Sequence, residues 1–401
     1  MLDGVLRRGQ TLEAAAGRVG GLSPADLGLA LAIAGETLRR IPDLDSLIDS
    51  ATRQRLPDDS KARMVLRAAL AQRIALGTPE HAVVATALPL VDGGPRRLVH
   101  GVLGTLLRRG LPPLDVPRLP AVVEERWTRA WGEEVVLAAR REIARRPPLD
   151  LTFAEHAQAR AYAAENGGTS IAPSHVRLAS SSVADLPGYE AGAWWVQDLA
   201  ASLPARLIPA DASEVLDLCA APGGKTMQLA AAGHRVTAVD ASESRLGRLR
   251  ENLDRTRLQA ELIAADALSW NPGRKYDAIL LDAPCSATGT FRRHPEVLYR
   301  ARRPIIAQNA AMQAQLLATA SQWLKRGGTL VYSVCSLERQ EGEDVIEAFL
   351  RDDAAFRIDP PTALPDFVPV SSDRSVRILP GLLEADGGLD GFFMARLVRE
   401  G

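Results

Sequence analysis

The chain has few of the residues that mark secreted, zinc-binding or membrane proteins. It contains only three cysteines and six histidines in 401 residues, and no two cysteines form a C-x-x-C pair. This scarcity argues against a disulfide framework and against a zinc site. No apolar run approaches the length that spans a bilayer, and the N-terminus lacks a signal-peptide pattern. We therefore expect a cytoplasmic protein with neither a metal nor a membrane partner.

Aromatic residues and lysines are also scarce, at 4% of the chain and four residues respectively. Hydrophobic residues reach 46%, which is enough to form the cores of two or three domains. Residues 1–146 carry 22 Lys and Arg against 17 Asp and Glu, whereas the remainder carries 26 against 32. A basic front half is compatible with a polyanionic partner and equally with ordinary solvated helix faces.

Helical signals fill the first third of the chain. Residues 23–26 (Ser-Pro-Ala-Asp) combine a hydroxyl N-cap, a proline and an acid, and apolar residues then repeat at helical spacing to Ile41. Comparable patterns follow Ser60 and Thr78, and a fourth helix ends at Gly110. Because no stretch before Gly110 alternates as a strand does, the pattern predicts an all-helical bundle.

The middle of the chain changes character. Residues 110–120 hold four prolines and predict a linker. We expect a helix that runs to about Arg146, then a short strand after Pro148, a helix near 154–165 and a loop-rich stretch to Asp198. Two adjacent tryptophans near the end of this stretch favour packing between domains, with base stacking as the alternative.

The back half alternates strand-like runs, turns and helices, which predicts a doubly wound parallel sheet. In such a sheet the carboxyl ends of the strands meet at one crevice. An acid or a cysteine ends each run, and Cys285 follows the fourth run closely. The strand-like runs are 214–219, 235–240, 260–266, 276–282 and 329–335, and the residues at their ends are Cys219, Asp240, Asp266, Asp282 and Cys335.

The turn after the first of these strands is rich in glycine but is not a P-loop. A P-loop has its first glycine six positions before the lysine, and that position before Lys225 is Cys219; the G-x-G-x-x-G pattern is absent as well. Such a turn lets the backbone approach a small zwitterion, and Asp240 has the spacing of an acid that binds ribose hydroxyls. S-adenosyl-L-methionine fits, with its adenine near Asp266. Its methionyl part would lie over Cys219, Ala220, Ala221, Pro222, Gly223, Gly224 and Lys225, and Asp282 would border the same site.

Four motifs together resemble the bacterial RsmB (Fmu/Sun) branch of the RNA cytosine-C5 methyltransferases. They are residues 217–226 (DLCAAPGGKT), 282–286 (DAPCS), 292–295 (RRHP) and 329–336 (TLVYSVCS). The helical front resembles the NusB-like RNA-binding domain of that branch. The resemblance implies a multidomain protein, in which an all-α NusB-like bundle precedes a small α+β (RRM-like) segment and a Rossmann-like α/β methyltransferase domain. The predicted domains are residues 1–120, 121–204 and 205–401.

The resemblance implies methylation of cytidine C5 in small-subunit (16S) ribosomal RNA, with S-adenosyl-L-methionine as cofactor. Cytosine C5 is a poor nucleophile until a thiolate adds to C6. The residues alone leave two orders open, since DNA cytosine-C5 methyltransferases attack with the cysteine of their Pro-Cys motif. RNA enzymes that resemble this chain use the later cysteine. Their pattern implies Cys335 as nucleophile, Cys285 in product release, Asp282 on the pyrimidine edge and Lys225 on the cofactor or base.

Two arginines after the Cys285 loop, Arg292 and Arg293, are candidates for contacts with the RNA backbone, and capping or ion pairing is the alternative.

The chain departs from the family at Ala287, where glycine is usual, at Val334, where threonine is usual, and at 151–153. Two other functions stay open: a transfer-RNA cytosine-C5 methyltransferase, and an inactive NusB-like RNA-binding assembly factor. We expect a monomer.

Overall fold

The computed structural model describes residues 1–179, 183–361 and 363–400. The chain divides into two compact units. The first comprises Met1–Arg146 with Phe291–Arg302, and the second comprises Pro147–Thr290 with Arg303–Gly401. The predicted division into three domains stays a prediction beside these units.

The described part of the chain forms helices and strands whose bounds follow, in chain order. The helices are α1 (Leu2–Leu6), α2 (Leu12–Ala16), α3 (Pro24–Ser50), α4 (Lys61–Ala75), α5 (Glu80–Ala87), α6 (Gly93–Arg109), α7 (Ala121–Trp131), α8 (Glu133–Ile143), α9 (His156–Asn166), α10 (Leu199–Ser202), α11 (Gly224–Ala231), α12 (Glu243–Thr256), α13 (Val297–Arg300), α14 (Arg303–Gln322) and α15 (Glu343–Asp352). The strands are β1 (Leu149–Phe153), β2 (His175–Leu178), β3 (Trp194–Val196), β4 (Glu214–Leu218), β5 (Arg235–Asp240), β6 (Glu261–Ala264), β7 (Tyr276–Asp282), β8 (Leu324–Val334), β9 (Phe356–Ile358), β10 (Val376–Ile378) and β11 (Phe392–Arg399).

The front of the chain is helical, as the capping signals predict. Ser23 Oγ accepts a hydrogen bond from the backbone of Asp26 and caps α3, and Ser60 caps α4 in the same way. Helices α3 to α6 pack around a common buried core. The helix expected to reach Arg146 is wrong as one element, because Gly132 adopts φ +88° and divides it into α7 and α8.

A short segment from the back half of the sequence completes the first unit. Phe291 packs edge-on against Trp127, with ring centroids 5.5 Å apart. The Tyr299 hydroxyl donates to the carbonyl of Leu38 at 2.8 Å, and Glu296 Oε1 accepts from the backbone of Leu12 at 3.1 Å. The chain therefore leaves the second unit after Thr290 and returns to it at Arg303.

The second unit contains two sheets. The smaller has the order β2-β1-β3 and is antiparallel. Sequence reasoning predicted β1 and missed β2 and β3, which lie in the stretch expected to be loop. Trp194 and Trp195, the adjacent pair, are 0% and 2% exposed in β3. Burial on this scale removes both rings from contact with an RNA base, so the base-stacking alternative is wrong for this structure.

The larger sheet has the order β10-β11-β8-β7-β4-β5-β6, with β9 paired to β11. Strands β8, β7, β4, β5 and β6 run parallel, whereas β9, β10 and β11 pair antiparallel at one side. The Rossmann-like α/β class is therefore confirmed, in the form of a mixed sheet. No helix in the described ranges is long and apolar enough to cross a bilayer.

Candidate active site

Parallel pairing brings the ends of β4 to β8 to one edge of the larger sheet. The connections that leave this edge carry the residues proposed for the cofactor and for chemistry. The residues that the structure brings there are Cys219, Ala220, Ala221, Pro222, Gly223, Gly224, Lys225, Asp240, Asp266, Asp282, Cys285 and Cys335.

The Gly-rich turn after β4 is fastened to the end of β5. The backbone N–H groups of Ala221 and Ser242 donate to the two carboxylate oxygens of Asp240, at 3.1 and 2.9 Å. Gly223 adopts φ +106°, and a Cβ atom there would collide with the side chain of Leu249 on α12. Only glycine suits this close approach, so the turn holds Asp240 at the crevice.

Asp217 is buried beneath the turn, and Cys219 at its start is partly buried. Asp217 Oδ2 accepts a hydrogen bond from Thr226 Oγ1 at 2.6 Å, and Oδ1 has no hydrogen-bond partner among the described residues. Burial raises the pKa of Asp217 to about 7. Burial also raises the pKa of the Cys219 thiol to about 12, so Cys219 is a neutral packing group at the turn.

An ion pair joins the start of α11 to the end of β7. Lys225 Nζ donates to Asp282 Oδ2 at 2.7 Å, and Ser333 Oγ donates to Asp282 Oδ1 at 2.8 Å. Burial alone would lower the pKa of Lys225. The negative charge of Asp282, with a smaller contribution from Cys335, has a larger effect, so the pKa of Lys225 is raised above its ordinary value. Lys225 is therefore a fixed ammonium next to a fixed carboxylate.

The two cysteines of the predicted pair lie in contact. Cys285 Sγ and Cys335 Sγ are 3.5 Å apart, although 50 residues separate them in the chain. The hydrogen bond with Cys335, together with burial, raises the pKa of Cys285 well above its ordinary value. Cys285 thus remains a protonated thiol at neutral pH and can donate to the sulfur of Cys335.

One carboxylate at this site was not predicted from the sequence. Glu341 is fully buried and accepts hydrogen bonds from Ser286 and Ser336, the residues that follow the two cysteines. Asn309 on α14 also donates to Glu341, at 3.0 Å. The Cys-Ser dipeptide at both cysteine motifs marks the two serines that bind Glu341, but it does not mark Glu341 itself.

The two candidate RNA-contacting arginines, Arg292 and Arg293, belong to the segment assigned to the first unit. Arg292 is only 2% exposed, so its guanidinium lies inside the protein. The predicted contact of Arg292 with the RNA backbone is therefore wrong for this structure, since a phosphate cannot reach a buried group. Arg293 is partly exposed, and its role stays a prediction.

The groups at the crevice fit S-adenosyl-L-methionine by the chemistry of their donors and acceptors. Asp266 is exposed just beyond β6, and its Oδ1 accepts only one backbone hydrogen bond that the structure describes, from Leu268 at 3.0 Å. A carboxylate has about four acceptor positions. Asp240 and Asp266 therefore keep acceptor capacity for ribose hydroxyls and for an adenine amino group. No cluster of three or more potential metal ligands occurs in the described ranges.

Two family models match the sequence. The model described as 16S rRNA methyltransferase RsmB/F matches residues 204–398. The NusB family model matches residues 2–108. These matches correspond to the Rossmann-like part and to the helical front of the chain.

Relatives of similar length match as well. A protein of Sodalis glossinidius described as ribosomal RNA small subunit methyltransferase B is 33% identical over 408 residues, covering 94% of this chain and 91% of the relative. A protein of Xylella fastidiosa with the same description is 35% identical, with coverages of 94% and 92%. The crystal structure of a protein called PH0851 has a TM-score of 0.74 at 23% identity, covering 95% of this chain and 91% of that one. This last likeness supports the fold.

Replacing Ala287 with glycine should stabilise the protein. Ala287 adopts φ +56°, a left-handed conformation that costs a residue with a Cβ atom about 1 kcal/mol. We expect Ala287→Gly to raise the free energy of unfolding by about 1 kcal/mol in urea denaturation. Ala354→Gly is the matched control, because this exposed turn alanine has no positive φ and should lose stability. A loss of stability in both variants would contradict the strain at Ala287.

Burial of Asp217 should make stability depend on pH. The pKa of Asp217 is about 7 in the folded protein and near 3.9 in the unfolded chain. Between these two pH values the folded state therefore holds the proton that the unfolded chain has lost. Relative to Asp217→Asn, the wild type should lose free energy of unfolding as pH rises from about 4 to 7 and then level off. The total loss is on the order of 4 kcal/mol. The exposed control Asp352→Asn should follow the wild type, and parallel profiles for all three proteins would refute the shift.

Proposed function

Since the chain belongs to the RsmB/F family of 16S rRNA methyltransferases, we propose that it methylates C5 of a cytidine in small-subunit ribosomal RNA. The reaction proceeds through a covalent bond between Cys335 and C6 of the base. The observation that carries this proposal is the 3.5 Å contact between the two thiols, beside the Lys225–Asp282 ion pair. Covalent activation of a pyrimidine needs a nucleophilic sulfur with charged groups close to the base, and a site that holds Cys335 near Lys225 and Asp282 is suited to this chemistry.

The family uses S-adenosyl-L-methionine, which supplies an electrophilic methyl group on a sulfonium when bound. In this chain the turn 219–225, Asp240 and Asp266 would hold it. Asp240 is fixed by backbone N–H groups and keeps lone pairs for ribose hydroxyls. The backbone of this turn can approach the methionyl part of the cofactor closely.

Addition of Cys335 to C6 is favoured by the charges around it. A nearby cation stabilises a thiolate, and Lys225 is a partly buried ammonium whose pKa is raised mainly by Asp282 and in part by Cys335. The Asp282 side chain is held in place by hydrogen bonds from Lys225 and Ser333. A carboxylate of this kind accepts from the amino group of cytosine and orients the ring, which leaves C5 electron-rich once the C6–S bond has formed.

Release of the product requires loss of the C5 proton to a base and cleavage of the C6–S bond. The electron pair of that bond returns to Cys335 as a thiolate. Cys285, a neutral thiol in contact with Cys335, donates a hydrogen bond to the leaving sulfur and lowers the cost of its charge. The two thiols therefore have different tasks: Cys335 attacks and Cys285 assists departure.

A pair of serine variants tests this division of tasks. We expect Cys335→Ser to abolish methyl transfer and to form no covalent complex with RNA. Cys285→Ser should instead accumulate a protein–RNA adduct that survives a denaturing gel, because departure of Cys335 is slowed. Each variant is the matched control of the other. The reverse pattern would exchange the two roles, and full activity in both variants would refute the mechanism.

A further inference from the structure

The two cysteine loops share one buried acceptor. Glu341 Oε1 accepts from the backbone N–H of Ser286 at 2.8 Å and from Asn309 Nδ2 at 3.0 Å. Glu341 Oε2 accepts from the hydroxyls of both Ser286 and Ser336, whose oxygens are 3.2 Å apart. We propose that Glu341 is a positioning residue, which holds Cys285 and Cys335 at the separation that methyl transfer requires. The inference rests on the proposed function.

Glu341 acts on the two thiols through the serines that directly follow them in the sequence. Ser286 directly follows Cys285, and Ser336 directly follows Cys335. When both hydroxyls bind the same carboxylate oxygen, the backbones from which the two thiols project are fixed relative to each other. A displacement of reacting groups by about 1 Å can cost a factor of about 100 in rate.

The carboxylate is suited to this task because it only accepts hydrogen bonds. Glu341 is fully buried, and four donors converge on it. Its own backbone is held by Tyr332, whose hydroxyl donates to the Glu341 carbonyl. A glutamine of the same shape would turn an amide N–H toward donors and leave buried groups unpaired.

Other bonds between the loops are independent of Glu341. Gly289 donates its backbone N–H to the carbonyl of Cys335 at 3.0 Å, and Leu337 donates its own to Thr288 Oγ1 at 3.0 Å. These bonds should keep the two loops together when Glu341 is replaced. Substitution is therefore expected to misalign the thiols rather than unfold the site.

The separation of the thiols can be measured without turnover. A diazene oxidant such as diamide takes two hydrogens from Cys285 and Cys335 and leaves a disulfide, whose sulfurs must close from 3.5 to about 2.05 Å. The rate of this step, followed by peptide mass mapping, reports how well the thiols are aligned. The kcat for methyl transfer and the KM values for RNA and cofactor are measured on the same proteins.

We expect Glu341→Gln to lower both kcat and the rate of disulfide formation by about tenfold or more, with KM values within about threefold of the wild type. Glu347→Gln on α15 is the matched control, since it removes an exposed carboxylate and should leave both rates unchanged. Ser286→Ala and Ser336→Ala should each lower both rates by a smaller factor. Combined with Glu341→Gln they should add little, because they remove parts of one network.

Wild-type rates of disulfide formation and turnover in Glu341→Gln would overturn the proposal. If Glu341→Gln fails to bind the cofactor by calorimetry, the two serine variants decide, and wild-type rates in both would overturn it. Failure of the proposed function has a different signature, because methyl transfer by Cys335→Ser would refute that mechanism without changing the oxidation rates of the Glu341 series.

Discussion

The register between two neighbouring strands determines whether this site exists. Asp282 at the end of β7 pairs with Ser333 near the end of β8. The first thiol follows three residues after Asp282 and the second two residues after Ser333, so parallel pairing delivers both to the same edge. A slip by one residue would turn the side chains of β8 to the opposite face of the sheet. The cysteine contact and the Ser333–Asp282 hydrogen bond would then be lost together.

The crevice concentrates ionisable groups that a stable core would avoid. Lys225 and Asp282 form a partly buried pair, Glu341 is a fully buried carboxylate, and Asp217 lies beneath the turn with its pKa raised. Such groups cost free energy unless donors or opposite charges compensate them. Compensation is complete at Glu341, with four donors, and incomplete at Asp217. Proteins tolerate such destabilising groups mainly at functional sites, which agrees with the proposed role of this edge of the larger sheet.

Much of the fold and site could be predicted because local chemistry marks it. Apolar runs that end in Asp240, Asp282 or cysteine identify strands of a parallel sheet, whose ends must converge. Packing between segments that are far apart in the sequence could not be predicted. The burial of Arg292 and the return of 291–302 to the helical unit depend on contacts with residues far away in sequence. Glu341 was missed because nothing local distinguishes it from its acidic neighbours; only the fold shows that both Cys-Ser dipeptides meet it.

The reaction proposed for this chain is methylation of C5 of a cytidine in small-subunit ribosomal RNA. Bisulfite sequencing tests it most directly, because 5-methylcytosine resists conversion. Ribosomal and transfer RNA would be compared from a deletion strain, from the same strain complemented with the wild-type chain, and from the strain complemented with Cys335→Ser. We predict one cytidine in small-subunit RNA that is protected only with the wild-type chain. An unchanged small-subunit pattern, with protection lost in transfer RNA or nowhere, would contradict the account.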